Sequence, residues 1–205
     1  MAQQVIAETT FDPECVSTVA GVDVGFSDEI AQAAVIVLDA VDLAPVDCAV
    51  AKLKNSFPYI PGLLAFREGP SVLAALAKLT TRPDLLIFDG HGIAHPQRIG
   101  LAAHMGVILD HPCIGCAKSR LTGTHDEPGN AAGDWAPLRD GKEVIGAVLR
   151  TRVGVKPVYV SVGHRVDLAM AIEFVLRCTR GFKLPETTRW AHRVASRGAC
   201  NADEM

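Results

Sequence analysis

The chain has 205 residues, 49% hydrophobic and 21% charged, with a net charge of −3. That is enough for one good core, short for two domains, and unlike a disordered segment. The acidic balance excludes a bulk basic surface for nucleic acid, so any such role needs a local basic patch or metal ions offsetting carboxylates. No basic-then-apolar leader opens the chain, and no apolar run nears the ~18 residues of a membrane span. The expectation is a cytoplasmic, monomeric protein of one domain, residues 1–205, whose six cysteines are reduced.

In chain order, residues 17–26 read as a strand, 29–42 as a second and 46–55 as a third, joined by short links that imply antiparallel hairpins. The period then changes. Leu64, Val72, Leu73, Leu76 and Leu79 recur at helical intervals, and Gly69-Pro70 predicts that Glu68 lies at or just before the helix start. "DLLIFDG" is a fourth strand, "QRIGLAAHMGVIL" a helix and "CIGCAK" a fifth strand. Residues 119–140 are polar, glycine-rich and long for a structureless loop, a length usually functional or mobile. "EVIGAVLR" and "PVYVSVG" pair as a hairpin, and "RVDLAMAIEFVLRCTR" and "ETTRWAHRVASRG" close the chain as helices. Three hairpin-joined strands followed by helix-strand-helix-strand imply an α/β fold, a mixed sheet with helices on its faces.

Two acids interrupt apolar strands. Asp23 sits inside "GVDVGF", and Asp89 ends the apolar run in "LLIFDGHGIAHP". A lone acid there costs several kcal/mol unless it is paired or metal-bound. If the first and fourth strands are neighbours, the two converge, and Glu68 can supply a third ligand. Three carboxylates with no ligating cysteine favour a hard cation, Mg²⁺ or Mn²⁺. Blander roles exist for each: Asp23 paired with Lys118, Glu68 an exposed helix-start acid, Asp89 a turn cap. Taken together they favour a metal site, and carboxylate-held Mg²⁺ suits phosphoryl chemistry. His91 and His95 are ligands, phosphate contacts or ordinary surface-loop histidines. Cys113 and Cys116 lie three apart on a strand, hence on opposite faces, and read as small buried residues.

Six blocks then occur in order: "FPYIPGLLAFREGP", "FDGHGIAHPQRIGLAAHMGV", "HPCIGCAKSRLTG", "GAVLRTR", "VSVGH" and "LPETTRWAH". They closely resemble the endonuclease V family of deoxyinosine 3′-endonucleases, from about Val19 to His192. The resemblance implies an RNase H-like fold, a central mixed sheet flanked by helices. It implies that Asp23, Glu68 and Asp89 bind Mg²⁺, replaceable by Mn²⁺. It implies hydrolysis of the second phosphodiester bond 3′ to deoxyinosine, leaving a 3′-hydroxyl and a 5′-phosphate. Lys118 matches the family's active-site lysine, its plain reading being a salt bridge to Asp23 or Asp89, and His192 matches a histidine near the metals, its plain reading being a satisfied helix histidine. Pro58, Tyr59, Ile60, Pro61 and Gly62 look like its strand-separating wedge; on the residues alone, a rigid turn packing Tyr59 into the core is the preferred reading. Gly62, Leu64, Gly90, Leu101 and Leu121 fall where the family pockets the flipped base. Arg67, His91, His95 and Arg120 are candidate phosphate contacts. The partner is DNA containing deoxyinosine; the alternatives are inosine-containing RNA as main substrate, or a non-cleaving inosine-binding module.

Overall fold

The computed structural model describes residues 1–27, 29–55, 57–60 and 62–200. Strands β1 (Thr18–Ser27), β2 (Ile30–Asp39) and β3 (Pro45–Lys54) form the expected antiparallel meander. Helix α1 (Leu64–Leu76), β4 (Leu85–Phe88), α2 (Leu101–Leu109) and β5 (Cys113–Ala117) follow, then β6 (Trp135–Asp140), β7 (Glu143–Leu149), β8 (Val158–His164), α3 (Leu168–Arg177) and α4 (Glu186–Arg197). One eight-stranded sheet has the order β3-β2-β1-β4-β5-β8-β7-β6. It is mixed: β4 runs parallel to β1 and β5, while β5–β8, β8–β7 and β7–β6 are antiparallel.

The apolar run of β4 is buried on both faces, and its alternation divides the core. Leu85 and Ile87 join Phe174, Val175 and Ala191 of α3 and α4, whereas Leu86 and Phe88 join Val72, Ala75, Leu101 and Met105 of α1 and α2. Burying each such large side chain contributes about 1.5–3 kcal/mol. Cys113 and Cys116 fall on opposite faces as the strand period requires, and both are fully buried. Burial raises both thiols far above the ordinary range.

Three expectations are corrected. Helix α1 continues through Pro70, so Glu68 is its fifth residue and not its start. The proline removes one hydrogen bond, to the carbonyl of Phe66, a residue left exposed. Residues 119–140 are not all loop: β6 occupies their end, and Thr124 bridges Arg139. Only Ala136 and Leu138 are buried along it, an alternation too short to read, and its Pro137 is tolerated because the strand is a sheet edge. Finally, the cysteines are not all reduced, since Cys48 of β3 is disulfide-bonded to Cys200, 152 residues away. Among the described residues, no helix is long and apolar enough to cross a membrane.

Candidate metal centre and base pocket

The site begins with spacing. Gly21, Asp23 and Gly25 alternate along β1 and so share one face, the face on which α4 lies. A Cβ on Gly21 would sit 1.9 Å from the carbonyl oxygen of Thr187, a backbone atom of α4. The missing side chain therefore lets the helix lie against the strand. One result is that His192 of α4 reaches Asp23, with Nδ1 2.9 Å from Oδ2.

The parallel register carries the second acid alongside. Val22 pairs with Phe88, and the Asp89 N–H donates to the Val22 carbonyl at 3.0 Å. The chain then folds over the neighbouring strands. A Cβ on Gly115 of β5 would lie 2.4 Å from the Gly92 nitrogen, and the Gly92 N–H donates to Ser161 Oγ at 2.9 Å. Sequence reasoning misses Ser161; its signal is a small polar residue between the valines of "VYVSVG". Asp89 pairs with Lys118, which follows β5, so the lysine's partner is Asp89 and not Asp23.

Ligand atoms of Asp23, Asp89 and His192 lie within 4.8 Å of one another. Glu68 stands outside that trio but within its field. It is only 8% exposed, and burial, followed by the charges of Asp23 and Asp89, pushes its carboxyl up to about 8. Burial also raises Asp89; Lys118 opposes that rise and Asp23 adds to it. Three acids thus crowd together with Lys118 as a paired cation, and like charges so placed disfavour one another. A divalent cation reverses that balance. A set dominated by carboxylate oxygens, with one imidazole, fits a hard ion.

Gly62, Leu64, Gly90, Leu101 and Leu121 all line one cavity of ≈ 80 Å³, together with His91 and His95. Gly90 belongs to that wall and immediately follows Asp89, so cavity and acids adjoin. His95 is 4% exposed, and burial lowers His91 to about 4, leaving a neutral imidazole at neutral pH. Both histidines form the cavity wall instead of projecting from a surface loop. A larger cavity, ≈ 430 Å³, lies between the C-terminal ends of α1 and α2 and touches none of the acids.

Tyr59 is 68% exposed, which removes the reading that buries it in the core, and Pro58 and Ile60 are exposed beside it. Gly62 adopts φ +83°; Pro61 lies outside the described residues. The Arg67 guanidinium stacks on Phe26, 4.3 Å from the ring centroid, and faces Tyr59 at 6.0 Å. Arg120 is exposed in the segment after β5.

A mixed sheet flanked by helices, with one acid midway along β1 and another just past the end of the neighbouring β4, defines the class: an RNase H-like α/β protein with a candidate cation centre. The Endonuclease V family model matches residues 1–193. This chain belongs to the Endonuclease V family, whose members are nucleases. Endonuclease V of Roseiflexus sp. (strain RS-1) is 58% identical over 183 residues, 89% of this chain and 82% of the relative. That of Nostoc sp. (strain PCC 7120) is 54% identical over 198 residues, 96% and 89% of the two chains. The crystal structure of Endonuclease V from Streptomyces avermitilis superposes with a TM-score of 0.92 at 47% identity, covering 96% of this chain and 87% of that one. Endonuclease V of Ciona intestinalis, in complex with a 24mer DNA containing an inosine followed by a ribo-adenosine, gives 0.83 at 29% identity, covering 96% and 92%.

Proposed function

We propose that this chain is a metal-dependent DNA repair endonuclease that recognises deoxyinosine and hydrolyses the second phosphodiester bond 3′ to it, leaving a 3′-hydroxyl and a 5′-phosphate. It acts in the cytoplasm, as a monomer and as one domain over 1–205. The observation that carries this reading is an adjacency: Asp89 belongs to the acid cluster, and its neighbour Gly90 belongs to the wall of a cavity. Chemistry on phosphate and recognition of a base are thereby one residue apart.

Asp23, Glu68 and Asp89 would hold Mg²⁺, with Mn²⁺ as a substitute. When bound, the ion activates a water and neutralises charge developing on the phosphate. The chain's own groups do the rest. His192 orients the Asp23 carboxylate through Nδ1, and the Lys118 ammonium, already at Asp89, meets a phosphate oxygen. Gly62, Leu64, Gly90, Leu101 and Leu121 take the base after it leaves the stack. Hypoxanthine offers an O6 acceptor and an N1–H donor where adenine offers an amino donor and an N1 acceptor, a difference that backbone groups beside glycines can read. Tyr59 takes the place of the departed base as a stacking wedge, from the segment Pro58, Tyr59, Ile60, Pro61 and Gly62. Arg67, His91, His95 and Arg120 contribute to holding the strand, the histidines as neutral hydrogen-bonding groups.

A second reading, an inosine-specific ribonuclease, draws on the ribo-adenosine beside the inosine in the Ciona intestinalis complex. One experiment separates the readings. End-labelled oligonucleotides carrying a single deoxyinosine or a single inosine are incubated with Mg²⁺, with EDTA, and with Asp89→Ala protein. The expected result is a cut one nucleotide beyond the lesion's own 3′ bond, dependent on Mg²⁺, absent in Asp89→Ala and faster on DNA. Faster cutting of RNA selects the ribonuclease. Inosine-specific binding with no cut on either strand overturns the nuclease reading.

A further inference from the structure

Beyond the acid cluster, the same end of the sheet carries cations with no assigned role. Ala117 pairs with Tyr159, so Lys118 and the segment entering β8, which includes Lys156, emerge together. The link between α3 and α4 crosses that end. Lys183 Nζ donates to the Lys118 carbonyl at 3.3 Å, and Thr151 Oγ1 donates to the Lys183 carbonyl at 2.5 Å. Lys183 is half-buried and Lys156 exposed. Among the described residues, no carboxylate forms an ion pair with either lysine. Burial, then Lys156, holds the Lys183 ammonium below its usual range, with Lys118 adding to the effect. Beside them Phe182 is 47% exposed, although the Arg189 guanidinium, itself paired with Glu186, covers one face of its ring at 3.4 Å.

Lysines without a carboxylate next to an exposed aromatic are what a single nucleic-acid strand needs: cations for phosphates and a π-face for a base. Position supplies the polarity. The base cavity opens on the face of α1 and α2, from Leu64 and Leu101 at their starts. Phe182 and Lys183 lead into α4, which packs on the opposite face. A strand with its lesion in the cavity crosses the acids in between and arrives at Lys183 on the far side of the cut. We propose that Lys183, with Lys156 and Phe182, forms a subsite for the nucleotides 3′ of the cleaved bond, with Lys183 as the positioning residue. The assignment of 3′ rests on the cleavage reading above.

The test compares wild type, Lys183→Ala and Lys183→Arg on deoxyinosine oligonucleotides with a long 3′ arm and on ones ending just past the cut. On long arms, Lys183→Ala is expected to raise KM about tenfold with kcat kept, and to lower the salt slope by about one. On truncated substrates the difference from wild type disappears, and Lys183→Arg restores most of the affinity. Shortening the 5′ arm affects all three proteins alike. Equal loss on both substrates in kcat would show that Lys183 merely shapes the Lys118 turn, and would overturn the subsite; so would no loss at all. Fluorescence anisotropy with undamaged strands of the same lengths in EDTA reads arm dependence without cleavage. If wild type cuts nothing, the cleavage reading fails, while a 3′-arm preference lost in Lys183→Ala still supports the subsite and its absence rejects it. Melting curves of each variant establish that it is folded.

Discussion

Asp84 and Asp89 flank the same four-residue strand and live in opposite circumstances. Asp84, before β4, accepts hydrogen bonds from the backbone N–H and the hydroxyl of both Ser17 and Thr18, at 2.9–3.0 Å. Burial pushes its pKa up, but bonds from Thr18 and Ser17 outweigh that and hold it below the usual value. Asp89, after β4, is raised by burial despite Lys118 and sits against Asp23. The first acid is satisfied by its own chain and ties β1 to β4. The second is left with a charge its surroundings do not fully balance, the pattern that marks functional sites. What separates the two acids is which groups remain to be supplied from outside.

Breaking each acid in turn should divide activity from stability. Asp89→Ala is expected to drop cleavage of deoxyinosine strands to background while the melting temperature of the metal-free protein holds or rises, because a buried like charge is gone. A large fall in melting temperature would place Asp89 with the structural acids. Gly21→Ala tests position without touching charge. Its Cβ cannot coexist with the Thr187 carbonyl, so α4 must move and carry His192 from Asp23. The expected loss is about 1–3 kcal/mol of stability, typical of overpacking, together with most of the activity; denaturant unfolding beside a cleavage assay measures both.

The cation itself sharpens the contrast. Saturating Mg²⁺ or Mn²⁺ at a concentration about a hundred times its dissociation constant stabilises a binding protein by about 2.7 kcal/mol. That shift should appear in wild type and in Asp84→Asn, and vanish in Asp89→Ala. A shift retained in Asp89→Ala would place the ion elsewhere. Asp84→Asn is expected to keep cleavage and lose about 1–2 kcal/mol, since it weakens charge-assisted bonds without emptying the position.

Much of this is legible in the chain. Acids that interrupt or end apolar runs announce themselves because an apolar strand has no local use for charge, and a parallel β1–β4 pair then suffices to bring Asp23 and Asp89 together. The helices and the first hairpins follow from period and turn residues. What stays hidden depends on partners remote in sequence. Asp84 reads as one more loop acid until Ser17 and Thr18, 67 and 66 residues away, are found on it. Cys48 and Cys200 carry no pairing signal across 152 residues. Lys183 belongs to an unremarkable loop, and only the docking of that loop on Lys118 gives it a place. The role of Gly21 lies in α4, which arrives at the other end of the chain.

The smallest effect is the most discriminating, because its sign differs for the two acids. Asp84 has a lowered folded pKa, so its stabilisation is complete above the unfolded value of about 3.9 and disappears as pH falls through the folded one. Wild type should therefore exceed Asp84→Asn in melting temperature at neutral pH, with the gap closing in acid. Asp89 has a raised folded pKa, so in chelated protein it favours folding while protonated and loses that advantage as pH rises through the folded value. Asp89→Asn should then exceed wild type at neutral pH, with the gap again closing in acid but from the other side. Melting curves across that range, in EDTA, check both. Gaps of the same sign would mean that Asp89 is as well satisfied as Asp84, and that crowding with Asp23 and Glu68 leaves no deficit for a cation to fill.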